Sequence, residues 1–80
     1  MGNEMTKISM RSVFSSHIAS VGYDSEIQTL FVRWKRGKVS AYTGVPENVA
    51  RDVMNAPSVG EALASQIKPV YTHQYVEIDE

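Results

Sequence analysis

The stretch IQTLFVRWKRGKVSAYT, residues 27–43, decides the fold of this chain. Its first half alternates in the way that a β-strand with one buried face requires. One face of that strand carries Leu30, Val32 and Trp34, and the other carries Thr29, Phe31 and Arg33. The segment KRGK at 35–38 is a turn, and residues 39–43 form a returning strand. The stretch therefore predicts a β-hairpin.

The length of the turn leaves two registers open for this hairpin. A two-residue loop leaves Tyr42 on the outer face, beside Phe31. A three-residue loop, with Gly37 in the left-handed conformation, turns Tyr42 inward, opposite Leu30. The two registers differ by one residue, and such a slip moves the whole returning strand to the other face. Glycine at the last loop position favours the three-residue loop, whereas the apolar residues at 39 and 41 favour the two-residue loop.

Strand-forming segments flank the hairpin on both sides. Residues 16–23 are rich in β-compatible types and end at the turn signal Asp24-Ser25. Residues 71–78 also have strand propensity and would add a strand at an edge of the sheet. We therefore expect a three-stranded antiparallel β-meander, with a possible fourth C-terminal edge strand.

Two short helices are predicted after the hairpin. Pro46 is expected at the first helical position of one helix, which Asn55 and Pro57 end. The tetrapeptide Ser58-Val59-Gly60-Glu61 is a capping box and begins the second helix, which Pro69 stops. The apolar stripe of the first helix is Val49, Ala50, Val53 and Met54. One side of the second helix carries Val59, Ala62, Leu63, Gln66 and Ile67. These helices would cover one face of the sheet, which gives the α+β class.

The size and composition of the chain limit its class. Eighty residues, 42% of them apolar and 21% charged, suit one globular domain and not two. We divide the chain into a polar N-terminal segment (1–15), a domain (16–71) and an acidic C-terminal tail (72–80). No apolar run approaches the roughly 20 residues that span a bilayer, and the first residues lack the apolar core of a signal peptide. The expected location is the cytoplasm, with no membrane contact.

Cysteine is absent, which excludes disulfides, thiolate metal sites and a cysteine nucleophile. The histidines, His17 and His73, are far apart in the sequence, so we expect no bound metal. Ser15 and Ser16 adjoin His17, but neighbouring strand residues point to opposite faces, so a serine–histidine pair is not favoured. The glycines are scattered singly, so no phosphate-binding loop is evident. We expect neither a cofactor nor an enzyme.

The charge pattern is more informative than the total. A net charge of −1 argues against a general nucleic-acid binder. However, four of the eight basic residues lie within six positions, namely Arg33, Lys35, Arg36 and Lys38. This basic hairpin tip is the feature of the sequence that most resembles a recognition surface.

In addition, the chain resembles a KTSC domain, a small module found at the C-terminus of some lysyl-tRNA synthetases and as a stand-alone bacterial or phage protein. The resemblance runs from about Ser16 to Tyr71. The matching residues are Ser16, Ile18, Val21-Gly22-Tyr23-Asp24, Leu30-x-Val32-x-Trp34, Gly37, Tyr42, Val45-Pro46, Ala56-x-Ser58-x-Gly60, Ile67 and Tyr71. The family's central Tyr-x-Tyr reads Ser40-Ala41-Tyr42 here, and Ala62 and Leu63 replace its later aromatic pair.

The lack of a recognisable catalytic centre predicts a non-enzymatic binding module. The family is uncharacterised, and its occurrence in synthetases suggests RNA as a ligand. The residues predicted to bind RNA are Phe31, Arg33, Lys35, Arg36, Lys38 and Tyr42. Cations would hold phosphates, and Phe31 would stack on a base. The same residues also suit a solvated hairpin tip whose charges protect a sheet edge. The alternative function is a protein-interaction or self-associating module, such as a phage accessory protein that captures a host component.

Overall fold

The computed structural model describes residues 9–77, and these form an antiparallel sheet with two helices on one face. The strands are β1 (Arg11–Ser12), β2 (Ile18–Asp24), β3 (Thr29–Trp34), β4 (Val39–Tyr42) and β5 (His73–Val76). The helices are α1 (Glu47–Met54) and α2 (Val59–Ala62), and α2 continues as a π-helical turn over Leu63–Ile67. The strands lie in the sheet in their chain order.

The α+β class is confirmed, but the predicted strand number is too low. Within the described residues the sheet has five strands, not three with a possible fourth. The expected edge strand is β5, which pairs with β4. Strand β1 was not predicted, because its two exposed residues, Arg11–Ser12, carry no alternating pattern. Both edge strands lie in the segments 1–15 and 72–80, outside the segment that the sequence assigned to the domain.

The β3–β4 hairpin adopts the three-residue register. Leu30 is paired with Tyr42, and Gly37 has a φ of 106°, which a side chain would disfavour. The N–H of Trp34 donates to the carbonyl of Lys38 at 2.8 Å, and the N–H of Gly37 donates to the carbonyl of Trp34 at 2.8 Å. The observed register is thus the one that Gly37 favoured, and not the one that the apolar residues Val39 and Ala41 favoured.

The main core lies between the sheet and the helices. Its buried members are Ile18, Val21, Leu30, Val32, Tyr42, Val45, Ala50, Val53, Val59, Ala62, Leu63 and Ile67. On the other face of the sheet, Phe31, Val39 and Ala41 form a smaller buried cluster, against which Met10 and Val76 pack. The sheet is thus apolar on both faces near its centre, and this explains why β4 is buried along its whole length.

The helix ends follow the sequence signals closely. The Oγ of Ser58 accepts the N–H of Glu61 at 3.3 Å, so Ser58 is the N-cap of α2 as predicted. Pro46 is at the N-cap of α1, one residue earlier than expected, because its ψ of 155° is still extended. Among residues 9–77, neither helix has the length and apolar content that a membrane crossing requires.

Candidate nucleic-acid interface

A cleft of about 750 Å³ lies beside the β3–β4 turn. Its lining comes from the loop before β2, from the turn, and from the segment that contains α2 and Lys68, with Tyr75 of β5 in addition. This volume is in the range of small-molecule and cofactor sites. We call it the Trp34 cleft.

Trp34 contributes the indole of this cleft. Its side chain is half-buried and packs against the main core. The indole Nε1–H donates to the Oγ of Ser40 at 2.8 Å, and Ser40 lies on the neighbouring strand β4. The expected core side of β3 is therefore correct for Trp34, but its burial is only partial. The uncovered part of the indole borders the cleft.

Four cationic side chains line the cleft, namely Lys35, Arg36, Lys38 and Lys68. Within residues 9–77 none of them makes a salt bridge, and Glu61 is the only carboxylate that lines the cleft. Two of the cations lie over aromatic rings instead. The Nζ of Lys68 is 5.1 Å from the centre of the Trp34 ring, and the Nζ of Lys38 is 4.8 Å from that of Tyr75.

The π-helical turn brings Lys68 to the cleft. The N–H of Lys68 donates to the carbonyl of Leu63, five residues earlier, at 3.0 Å. In this wider turn, Leu63 and Ile67 both remain buried in the main core, and Lys68 is the next residue along the chain. Single π-helical turns of this kind occur often at functional sites. The cation thus directly follows the buried residue Ile67, and its backbone N–H is bonded to a second core residue, Leu63.

The loop before β2 forms another wall of the Trp34 cleft. The Oγ of Ser15 accepts the backbone N–H groups of His17 and Ile18, each at 3.2 Å. A Cβ on Gly60 would lie 3.3 Å from that Oγ, so the glycine allows the loop to pack closely on α2. The Ser15 oxygen therefore accepts two backbone N–H groups of its own loop, in keeping with a structural role for this serine.

Not all of the predicted RNA-binding residues lie together. Lys35, Arg36 and Lys38 line the Trp34 cleft, but Arg33 does not. Arg33 points to the other face of the sheet and lines a neighbouring hollow of about 590 Å³ that also includes Glu77 and shares Lys38 and Tyr75 with the cleft. The reason is the alternation of β3, in which Arg33 and Trp34 are adjacent and face opposite sides. Lys68, which the sequence analysis did not select, occupies the Trp34 side instead.

The predicted aromatic residues Phe31 and Tyr42 are both buried. Phe31 is 5% exposed, in the outer cluster with Val39 and Ala41, and Tyr42 is 1% exposed, in the main core. Burial raises the pKa of the Tyr42 phenol above its ordinary value, and the nearby Tyr75 adds to the rise. Neither ring offers a free face to a base. The aromatic residues of the cleft are Trp34 and Tyr75.

Two signals in the sequence point to Tyr75 and Lys68, the cleft residues that were not predicted. Residues 71–78 alternate, and β5 places Tyr75 opposite Ser40, on the sheet face of Trp34. Lys68 directly follows the last buried position of the second helical segment, where it can reach the end of the sheet. Both signals require knowledge of which strands are neighbours, and a single sequence does not supply it.

Comparisons with known proteins agree with this fold. The model of the KTSC domain family matches residues 14–71. An uncharacterized protein of Stutzerimonas stutzeri (strain A1501) is 35% identical over 65 residues, which cover 81% of this chain and 90% of that protein. A protein of Tsukamurella paurometabola is 37% identical over 60 residues, which cover 75% of this chain and 90% of that protein.

A solved structure gives the same result in three dimensions. The crystal structure of a KTSC domain protein from Yersinia pestis matches with a TM-score of 0.79 and 30% sequence identity, covering 88% of this chain and 99% of that chain. The resemblance seen in the sequence is therefore confirmed. This chain belongs to the KTSC domain family.

Proposed function

We propose that this domain is a non-enzymatic module that binds single-stranded RNA in the Trp34 cleft. One observation carries the proposal: Lys35, Arg36, Lys38 and Lys68 line the same cleft as a half-buried indole. Cations that follow a phosphate backbone, combined with an aromatic ring on which a base stacks, are the usual elements of single-strand binding.

The electrostatics of the cleft support an anionic ligand. Four cationic side chains with one carboxylate among them create a positive potential in a concave site, where field lines are concentrated. The four cations have no salt-bridge partner among residues 9–77, so a phosphate does not have to displace a carboxylate from them. A ligand without negative charge would not use this feature.

A binding role without catalysis is favoured by the side chains of the cleft. The Ser15 oxygen accepts two backbone N–H groups and holds the loop before β2, which is a structural role. We also propose that the protein acts in the cytoplasm, where single-stranded RNA is accessible.

The proposal is tested by fluorescence anisotropy with a labelled single-stranded RNA at several salt concentrations. Four phosphate contacts predict a log–log slope of about −3, from roughly −0.7 for each contact. Arg36→Glu should weaken binding strongly. Arg51→Glu is the matched control, because it makes the same charge change at an exposed residue of α1 that does not line the cleft.

Two results would contradict the proposal. One is the absence of wild-type binding at tens of micromolar protein in low salt, where non-specific electrostatic binding alone is normally measurable. The other is an equal effect of Arg36→Glu and Arg51→Glu, because binding would then depend on the total charge and not on the cleft.

A second candidate function is protein interaction or self-association through β5. This strand is an edge of the sheet, and three of its four residues are exposed. An exposed edge can pair with a strand of another chain, including a second copy of the same protein. Pairing of this kind would occupy backbone groups of β5, whereas RNA binding would use the side chain of Tyr75, so the two functions are separable by mutation.

A further inference from the structure

The Trp34 cleft contains two pairs, each made of one aromatic ring and one lysine. In the first pair, the Nζ of Lys68 is 5.1 Å from the centre of the Trp34 ring. In the second pair, the Nζ of Lys38 is 4.8 Å from the centre of the Tyr75 ring. All four side chains line the cleft. The site therefore repeats one chemical unit, an aromatic ring with a lysine ammonium over its face.

The two rings lie on the same face of the sheet and are near one another. Trp34 is on β3 and Tyr75 is on β5, with β4 between them, so their strands are about 10 Å apart. The Nε1 of Trp34 reaches the Oγ of Ser40 at 2.8 Å, and Ser40 is the residue of β4 paired with Tyr75. The indole thus extends across β4 toward the second ring, and this shortens the interval between the two stacking surfaces.

We propose that the cleft binds two successive nucleotides of a single strand, with one base on Trp34 and the next on Tyr75. This inference rests on the proposed RNA-binding function and specifies its footprint. In each unit the lysine leaves the ring face that it covers in the free protein and contacts the phosphate of the nucleotide whose base stacks there. The long lysine side chain allows this movement, and the phosphate is a stronger partner for the ammonium than an exposed ring.

The second unit can be altered without damage to the fold. Tyr75 is 60% exposed and lies on an edge strand, whereas Trp34 packs against the main core. Tyr75→Ala removes the second stacking surface, and Tyr75→Phe retains it. Ile27→Ala is a matched control, because Ile27 is 56% exposed and lies in the β2–β3 turn, at the opposite end of β3 from the cleft.

The test is isothermal titration calorimetry with two probes, adenosine 5′-monophosphate and the 5′-phosphorylated dinucleotide pApA. For the wild type, Tyr75→Phe and Ile27→Ala, pApA should bind at least about fivefold more tightly than the mononucleotide, since one stacked base contributes that much or more. Tyr75→Ala should lose this gain and keep its affinity for the mononucleotide. Lys38→Met should behave like Tyr75→Ala, and Lys68→Met should weaken the binding of both probes.

The outcomes separate this inference from the function on which it rests. Equal wild-type affinities for the two probes would overturn the two-nucleotide footprint while the mononucleotide site remains. Equal losses for both probes in Tyr75→Ala would also overturn it, because Tyr75 would then belong to the first unit. If the wild type binds neither probe and also fails to bind longer RNA, the proposed function is wrong and the footprint with it.

Discussion

The hydrogen bond between Trp34 and Ser40 fixes the indole in the cleft. The variant Ser40→Ala measures how much this bond contributes to the free energy of unfolding. Ser40 is 1% exposed, and its Oγ accepts the indole Nε1–H at 2.8 Å. A neutral hydrogen bond of this kind contributes about 1 kcal/mol, and a donor that stays buried without a partner costs about 1–3 kcal/mol. Because Trp34 is only half-buried, water can reach the freed donor. We therefore expect a loss of about 1–1.5 kcal/mol in the free energy of unfolding.

The assay is urea unfolding followed by far-UV circular dichroism, which does not depend on the tryptophan. Wild type, Ser40→Ala, Trp34→Phe and the double variant form a double-mutant cycle that isolates the interaction between the two side chains. The control is Ser20→Ala on β2. Ser20 is also buried, and its hydroxyl makes no hydrogen bond within residues 9–77. It should lose clearly less stability than Ser40→Ala.

Two results would refute this reasoning. An interaction energy near zero in the cycle would mean that Ser40 does not hold the indole. Equal losses in Ser40→Ala and Ser20→Ala would mean that any buried serine of the sheet costs the same. In addition, RNA affinity should fall severalfold in Ser40→Ala with an unchanged salt slope, because stacking is weakened and the phosphate contacts remain.

Four further predictions concern stability and assembly. Ser58→Ala should lose about 1 kcal/mol in urea unfolding, since the N-cap of α2 is removed. Phe31→Ala should cost about 3–5 kcal/mol of stability through loss of the buried ring, and at conditions where the variant is folded its RNA affinity should be unchanged. Burial raises the pKa of the Tyr42 phenol and that of the Tyr23 phenol. For Tyr23 the negative charges of Glu47 and, to a smaller extent, Asp24 raise the pKa further. The unfolded chain therefore releases these protons first, and unfolding monitored by circular dichroism should become easier as the pH rises above about 10. If β5 pairs with a second copy, light scattering at micromolar concentrations should show a dimer, and a monomer at every concentration would remove the simplest support for self-association.

The fold was largely predictable because its central hairpin carries local signals. The alternation of residues 29–34 correctly separated the two faces of β3, although both faces are buried, and Gly37 favoured the observed register, which the sequence had left open. The serine cap of α2 was likewise readable, because the capping bond joins residues only three apart. These signals are local in the chain, so tertiary context had little opportunity to override them.

The features that were not predictable depend on contacts between distant segments. The burial of Phe31 requires a second apolar cluster on the outer face, and Val76 of this cluster comes from the far end of the chain. The π-helical turn that precedes Lys68 has no recognised signature in the sequence. Each of these properties combines two segments whose adjacency a single sequence does not reveal.

The total charge of the chain does not describe how the charges are distributed in the domain. The net charge is −1, but the two ends of β3 differ in charge, even though Glu61 and Glu77 lie near the basic end. Asp24 and Glu26 are at the β2–β3 turn, whereas Lys35, Arg36 and Lys38 are at the β3–β4 turn, and the length of β3 separates the two. If the proposed function is correct, we expect a phosphate chain to be attracted to the β3–β4 turn and repelled from the acidic β2–β3 turn. The preferred ligand would then be a short segment or an end of a single strand, since a strand that extended along the sheet would meet the acidic turn.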